Sequence, residues 1–393
     1  MRRRATAIAA VLALAALAIV AAASAKVDRA AGPSATASAD TQLISCGKTV
    51  TMGMLAPITG PAASLGKLQT DWAKFYVAAH NKVKKNKHKL RVQYGDTVLG
   101  GPGGTAEAVK AAQSLGSNVL GTVGPAGSNE VRATTATLKN AGLGFVSGSA
   151  TNTELTTDGT RTRFFFRTVP PDAAQGTSVA NFINKKLKFK RVYIIDDQEA
   201  YSTGLADTVQ QKLRAAGVTV QRDGVSQQQS DFSSLIAKIP RDTQLVYIPW
   251  QLPPKGKAFG EQMRSAGKSN IILMGSDGLF DDAFASLGGV YASSFPTSGT
   301  HPVVKAFKKA HGGDPEFFGA PSYVAAQVVG GAIDRACKDG KASRAEVRAQ
   351  IRKTNLKKTV LGLNVSFNAQ GDIKGGQFGI WKANSSGSFL PVG

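Results

Sequence analysis

The stretch from Gly142 to Thr156 gathers groups that can hold a ligand: an apolar run of Leu143, Phe145 and Val146, then Gly148, Ser149 and Thr151. A buried strand that turns abruptly into glycine and hydroxyl residues makes a crevice of the kind ligands occupy where strands alternate with helices. Ser149 and Thr151 offer hydroxyl donors and Gly148 permits close backbone approach, so the loop suits a small carboxylate. Signals for covalent chemistry fare poorly beside it. Gly121 to Gly127 has the glycine content of a dinucleotide loop but lacks the tight G-x-G start, and Pro125 stands where a helix should open. Neither G-x-x-x-x-G-K followed by Ser or Thr nor G-x-S-x-G occurs. The four histidines, His80, His88, His301 and His311, are scattered, and their spacing forms neither a metal cluster nor a serine triad. Asp277, Asp281 and Asp282 suggest a cation site or, better, a helix start at Asp281-Asp282, which frees Asp277 for another role. A binding protein without cofactor or metal is expected, not an enzyme.

The elements around that loop alternate. Strand patterns at Val50 to Leu55, Leu90 to Tyr94, Val119-Leu120 and the loop's own apolar run are separated by helical patterns. One of those helices runs from Asn129 to Asn140, after the loop that ends in Ser128. A second series follows the Pro170-Pro171 break, with strands at Val192 to Ile195, Val218 to Val220, Leu245 to Ile248 and Ile271 to Leu273. Two such series predict an α/β fold of two doubly wound parallel-sheet lobes.

Composition sets the compartment. A chain of 393 residues, 42% hydrophobic and 19% charged, suffices for two sizeable cores. Arg2, Arg3 and Arg4 precede an apolar run from Ala5 to Ala22 that closes on Ala23-Ser24-Ala25, which reads as an export signal at residues 1–25. A retained membrane anchor is the alternative, because the run approaches spanning length. Residues 26–48 read as a linker. Leu43-Ile44-Ser45-Cys46 looks like a lipoprotein processing box, although Lys26, Asp28, Arg29 and Asp40 separate it from the apolar run. Cys46 and Cys337, the two cysteines of an exported chain, most simply form a disulfide, with two free thiols as the alternative. The formal charge of +22 lies largely in runs at Lys82 to Lys89, Lys185 to Arg191 and Arg348 to Lys358. The first two runs sit where helices end and strands begin and have no interleaved aromatic platform. Nucleic acid is therefore not expected; solvated helix ends, with loose attraction to anionic envelope polymers, account for them.

Five ordered motifs, Thr59-Gly60-Pro61, Ser149 to Thr156, Tyr201 to Ala206, Asp231 to Ile236 and Gly275-Ser276-Asp277-Gly278, carry a resemblance from Thr49 to the end of the chain. It is similar to the leucine/isoleucine/valine periplasmic binding proteins, type I solute-binding proteins that feed ABC transporters. The resemblance implies lobes joined by a three-stranded hinge, with crossovers near Thr168 to Pro171, Ser294 to Ser298 and Gly362 to Val365. The N-terminal lobe would comprise residues 49–168 and 297–362, and the C-terminal lobe residues 169–296 and 363–393. It further implies that Ser128 and Thr151 hold a ligand carboxylate, with Ala150 in the same loop, and that the Ser149 carbonyl takes part in holding the ammonium. Asp277 would pair with that ammonium and Tyr201 would close over the ligand. Leu65, Trp250 and Tyr323 fall near the side-chain pocket; Leu65 replaces a frequent aromatic, and Trp250 is shifted by an apparent one-residue insertion. The implied protein is an exported monomer that captures a small apolar amino acid by hinge closure and is recognised by a membrane permease. An amide or aromatic carboxylate as ligand, or a sensing module, is the alternative.

Overall fold

Val50, Met52, Met54 and Ala56 alternate along one strand with Thr51, Gly53 and Leu55, and both sets are buried, so this strand must be covered on two faces. A computed structural model describes residues 39–101, 103–296, 299–312 and 318–392 and shows how the covering is achieved. The export signal expected at residues 1–25 lies outside the described residues.

After a short strand β1 (Ile44–Ser45), the first sheet comprises β2 (Thr49–Ala56), β3 (Lys89–Asp96), β4 (Val119–Val123), β5 (Phe145–Ser147) and β6 (Phe165–Arg167). Its strands are parallel in the order β3-β2-β4-β5-β6. Val50, Met52, Met54 and Ala56 pack against helices Ala63–Lys82 and Gly319–Ala336 through Trp72, Tyr76, Val324 and Val328. Leu55 packs on the other face against Ala111, Ala112 and Val131 of helices Ala106–Gln113 and Ser128–Asn140.

The second sheet repeats the logic with β7 (Arg191–Asp196), β8 (Thr219–Gly224), β9 (Leu245–Ile248), β10 (Ile272–Gly275) and β11 (Tyr291–Ser294). Val192 and Ile194 face one core, Tyr193 and Ile195 the other. Beyond β12 (Lys341–Ala342), which pairs with β1, come β13 (Gly379–Ala383) and β14 (Phe389–Pro391). β13 pairs antiparallel with β11, and β14 antiparallel with β13, giving the order β14-β13-β11-β10-β9-β7-β8. The α/β class with two doubly wound sheets is thus the one the sequence pattern implies. Among the described residues, no helix is long and apolar enough to cross a membrane.

Three chain segments pass between the sheets. They share a small apolar cluster, Val169, Phe295 and Phe378, in which the Phe295 ring lies 5.7 Å from that of Phe378. The third passage comes later than Gly362 to Val365, because Val365, Phe367 and Ile373 all belong to the first core. Gly362, at φ 74°, is the turn that returns Leu363 to Thr359, not a crossing. Part of the expected linker is also built into the fold. The Asp40 carbonyl accepts from Ala345 N–H at 2.8 Å, and the Asp40 carboxylate pairs with Arg348 at 3.0 Å.

Cys46 and Cys337 form the disulfide, which occupies the sulfur that lipidation would need. It spans 291 residues of sequence, so it removes much freedom from the unfolded chain. Replacing both cysteines by alanine is expected to lower the unfolding free energy by about 2–5 kcal/mol. Urea denaturation checks this: equal midpoints for the two proteins would mean that the bond contributes nothing.

Candidate functional site

The cleft lies where loops leave the C-terminal ends of the parallel strands of both sheets. From the first sheet it is lined by Ala62, Leu65 and Leu68, Leu99, Ala126 to Ser128 and Ser149; from the second, by Tyr201, Gln251, Asp277, Gly278, Phe280 and Asp281. Phe318 closes one side. The cleft has a solvent-accessible volume of about 60 Å³.

Arg167 sets the first wall. Its guanidinium, fully buried, donates Nε to Asp372 at 2.7 Å, Nη1 to the Asn152 carbonyl at 2.8 Å and Nη2 to Thr156 Oγ1 at 2.8 Å. One side chain thus holds the whole loop after β5. Ser147 Oγ donates to the Pro125 carbonyl and Ser149 Oγ to that of Ala126, joining this loop to the one after β4. Gln69 Nε2 also donates to Ser149 Oγ at 2.8 Å, and Ser128 Oγ accepts from Asn152 N–H at 3.2 Å. Gly148 serves packing: a Cβ there would come within 2.6 Å of Ser322 Oγ, so its close approach is to helix Gly319–Ala336 and not to a ligand.

The second wall is acidic and buried. The Tyr201 hydroxyl, on the first turn of the helix after β7, lies 2.6 Å from both Asp277 Oδ1 and Ser276 Oγ. Gln175 Nε2 also donates to Asp277 Oδ1 at 2.6 Å. Burial pushes the Asp277 carboxyl up to about 6 despite these donors. Behind it, Asp172 is entirely buried, and neither of its oxygens accepts a well-formed hydrogen bond from the described residues. Burial and then the Asp277 charge push it up to about 8; the nearby Thr151 hydroxyl and Arg167 pull the other way. Gln175 Oε1 and Ser294 Oγ are further buried polar atoms without a well-formed hydrogen bond among the described residues. Such a chamber favours a cation that can donate hydrogen bonds.

Of the residues the sequence singles out, Leu65, Ser128, Ser149, Tyr201 and Asp277 meet at this cleft. The others do not reach its lining among the described residues. Ala150 is packed with Leu155 and Phe165 in the first core. Thr151 is buried beside Asp172. Trp250 belongs to the second core: its Nε1 donates to the Ile195 carbonyl at 2.8 Å and its ring packs on Phe232 and Phe259, while its neighbour Gln251 lines the cleft. Tyr323 stays among Trp72, Phe75 and Tyr76, with ring centroids 5.5 to 6.4 Å apart. Sequence reasoning missed Asp172, whose place one residue after Pro170-Pro171 reads as an ordinary acidic helix start. It missed Leu99, Phe280 and Phe318 too, which carry no local signal.

The lobes touch across the cleft. Asn129 Nδ2 donates to Glu199 Oε2 at 2.8 Å, Asn152 Nδ2 to the Ala200 carbonyl at 2.5 Å, and Leu252 packs on Ala62 and Leu99.

Residues 49–378 match a family described as periplasmic binding protein. A Brucella melitensis protein named Leu/Ile/Val-binding protein homolog 3 is 27% identical, over 85% of this chain and 91% of its own length. In fold, the chain resembles a leucine-binding protein of Thermotoga maritima with a TM-score of 0.78 at 22% identity, covering 88% of this chain and 98% of that one. An ABC transporter solute-binding protein of R. palustris, solved with benzoate, gives 0.76 at 18% identity, over 88% and 96% of the two chains. With two doubly wound sheets, three passages between them and a cleft at the strand ends, over a match that spans most of its length, the chain belongs to the periplasmic binding protein family.

Proposed function

We propose that the chain is the exported solute-binding component of an ABC importer and captures an apolar α-amino acid. The observation that carries this reading is the polarity of the cleft. Leu65, Leu68, Leu99, Phe280 and Phe318 offer an apolar wall, the Ser128 hydroxyl and the neutral Ser149 loop stand at one end, and Asp277, with Asp172 behind it, supplies negative charge at the other. A zwitterion with an apolar side chain matches all three. Its carboxylate would lie against the Ser128 and Ser149 loop, and its ammonium would face Asp277. The relative named for leucine, isoleucine and valine supports that class. The benzoate-bound neighbour has a ligand without an ammonium, for which two buried acids would be repulsive.

On this reading the contacts between Asn129 and Glu199 and between Leu99 and Leu252 belong to the closed form, and the passages at Val169, Phe295 and Phe378 are the hinge. A membrane permease would recognise that closed form. The protein would act as a monomer, with no cofactor and no covalent step.

Titration calorimetry tests the ligand class. Leucine, isoleucine or valine is expected to bind and benzoate is not, and Asp277→Ala should weaken amino-acid binding by at least about 100-fold, because the ammonium would be buried unpaired. Wild-type affinity in that variant would sink the ammonium assignment, and tight benzoate binding would favour the aromatic-acid alternative.

Proton linkage gives a second test. An ammonium lowers the pKa of both acids, so amino-acid binding near pH 7 should release protons, measured as a dependence of the binding enthalpy on buffer ionisation. Buffer-independent enthalpies would contradict it.

Without ligand the sign runs the other way. Both folded pKa values lie above the ordinary 3.8, so the stability each acid contributes is complete below that pH and is lost as pH rises through about 6 for Asp277 and about 8 for Asp172. Asp172→Asn should flatten that decline and exceed the wild type at pH 8 by about 1–3 kcal/mol. Parallel pH profiles of unfolding for the two proteins would show that Asp172 carries no such strain.

A further inference from the structure

The lysine run between helix Ala63–Lys82 and β3 has no part in the cleft. Lys82, Lys84, Lys85, Lys87 and Lys89 are all exposed at the end of the first sheet where its parallel strands begin, whereas the cleft lies where they finish. Eight residues of β2 separate the two ends, about 26 Å at about 3.3 Å per residue. Other exposed lysines join them through the chain's own pairing. Lys48 O accepts from Lys89 N–H, Lys341 pairs with Ser45 in β1, and Lys338 follows Cys337, whose carbonyl lies 3.3 Å from His88 Nε2.

The pole therefore presents Lys48, Lys82, Lys84, Lys85, Lys87, Lys89, Lys338 and Lys341 with little acid to offset them. Asp334 is tied to His80 at 2.8 Å and Asp40 to Arg348, which leaves Asp339 as the exposed carboxylate beside Lys341. None of Lys82, Lys84, Lys85 and Lys87 forms an ion pair among the described residues. Two large apolar side chains are exposed in the same segments: Val83, 38% exposed, interrupts the run, and Leu43, 54% exposed, lies two residues before Ser45, the partner of Lys341. The described chain also joins the fold at this end of the sheet, at Asp40, packed on Gly142 just before β5.

We propose that this pole is a docking surface for an anionic lipid membrane, seated by the lysines on headgroup phosphates with Leu43 and Val83 entering the interface. Lysines alone would suit any polyanion. Exposed apolar side chains in the same segments favour a surface that has both a charged plane and an apolar layer beneath it. In the lysine run at the pole of the second lobe, Lys185, Lys186, Lys188 and Lys190, the interleaved apolar side chains, Leu187 and Phe189, are partly buried against the core. Seated by the first pole, the protein keeps its cleft some 26 Å from the surface and open to solute.

Cosedimentation of the full chain with vesicles tests this. Vesicles of phosphatidylglycerol mixed with phosphatidylcholine should retain far more protein than phosphatidylcholine alone, and 0.5 M salt should abolish the difference, since near-surface lysines contribute roughly fivefold each to partitioning at low ionic strength. Changing Lys82, Lys84, Lys85 and Lys87 together to glutamine should remove at least about tenfold of the phosphatidylglycerol-dependent binding. The same change at Lys185, Lys186, Lys188 and Lys190 should leave it within about twofold. Leu43→Ser with Val83→Ser should weaken vesicle binding but not binding of soluble polyphosphate. Unchanged thermal unfolding in each variant certifies folding. The proposal falls if the two vesicle types bind equally, if both lysine variants lose binding alike, or if the serine variant binds vesicles as well as the wild type does.

Discussion

Two carboxylates share one dry chamber without a cation of their own. Asp172 and Asp277 are each at most 1% exposed, and the nearest guanidinium, Arg167, is already committed to Asp372 and to the carbonyls of the loop after β5. Burying a charge in this way is unfavourable unless it is paired or neutralised, so near pH 7 Asp172, pushed up to about 8, keeps its proton behind Asp277, which at about 6 is largely ionised. This asymmetry orders the rest of the cleft. The opposite end has a neutral donor in the Ser128 hydroxyl, which accepts from Asn152 and keeps its own proton, and a full positive charge there would have drawn an anion of any kind instead of a zwitterion. On the proposed reading, selectivity for an amino acid arises from a negative end that needs an ammonium and a neutral end that tolerates a carboxylate.

Arg167 couples that chemistry to the motion of the lobes. It closes β6, holds the 152 to 156 segment, and reaches Asp372 in the stretch before the third passage, so the cleft loop and two of the connecting segments share one anchor. Beyond it the connections are slender: Val169, Phe295 and Phe378 with few neighbours, set between two large cores. Interiors packed at crystal-like density do not bend, so relative motion is confined to such connections. On the proposed reading, because Asp172 begins the first helix after Val169, the acid that would respond to the ligand's charge lies beside the segment that would turn.

How much of this was legible in the sequence follows from what each residue's neighbours in the chain could reveal. Strands buried on both faces read as apolar runs, and β2, β7 and β9 are found within a residue or so of where the pattern sets them. The two cysteines found each other because nothing else could pair with them. Ser149 stands in a loop after a strand, a position the alternating pattern marks, whereas Ser128 and Asp277 are singled out through the family resemblance; all three line the cleft. Trp250 misled because a one-residue shift exchanges the side facing the cleft for the side facing the core, and an indole gains more from the Phe232 and Phe259 rings. Asp172 was illegible for the opposite reason: in sequence it is a favourable first-turn acid, and only the fold brings it under Asp277. The third passage was misplaced because a positive-φ glycine marks a turn equally well within a lobe and between lobes.

The formal charge of +22 would seem at odds with a site that waits for a cation, and distance resolves the conflict. The lysine run before β3 stands some 26 Å from the cleft, roughly three Debye lengths at physiological ionic strength. Screening at that range leaves the potential inside the cleft to Asp172, Asp277 and the dipoles of their loops. The run before β7 is likewise at the starting end of its sheet, opposite the loops that carry Tyr201 and Asp277. The lysine runs before β3 and β7 thus stand where each sheet starts, opposite the strand ends that build the binding site. One protein can in this way attract anionic surroundings through its poles while an ammonium enters its middle unopposed.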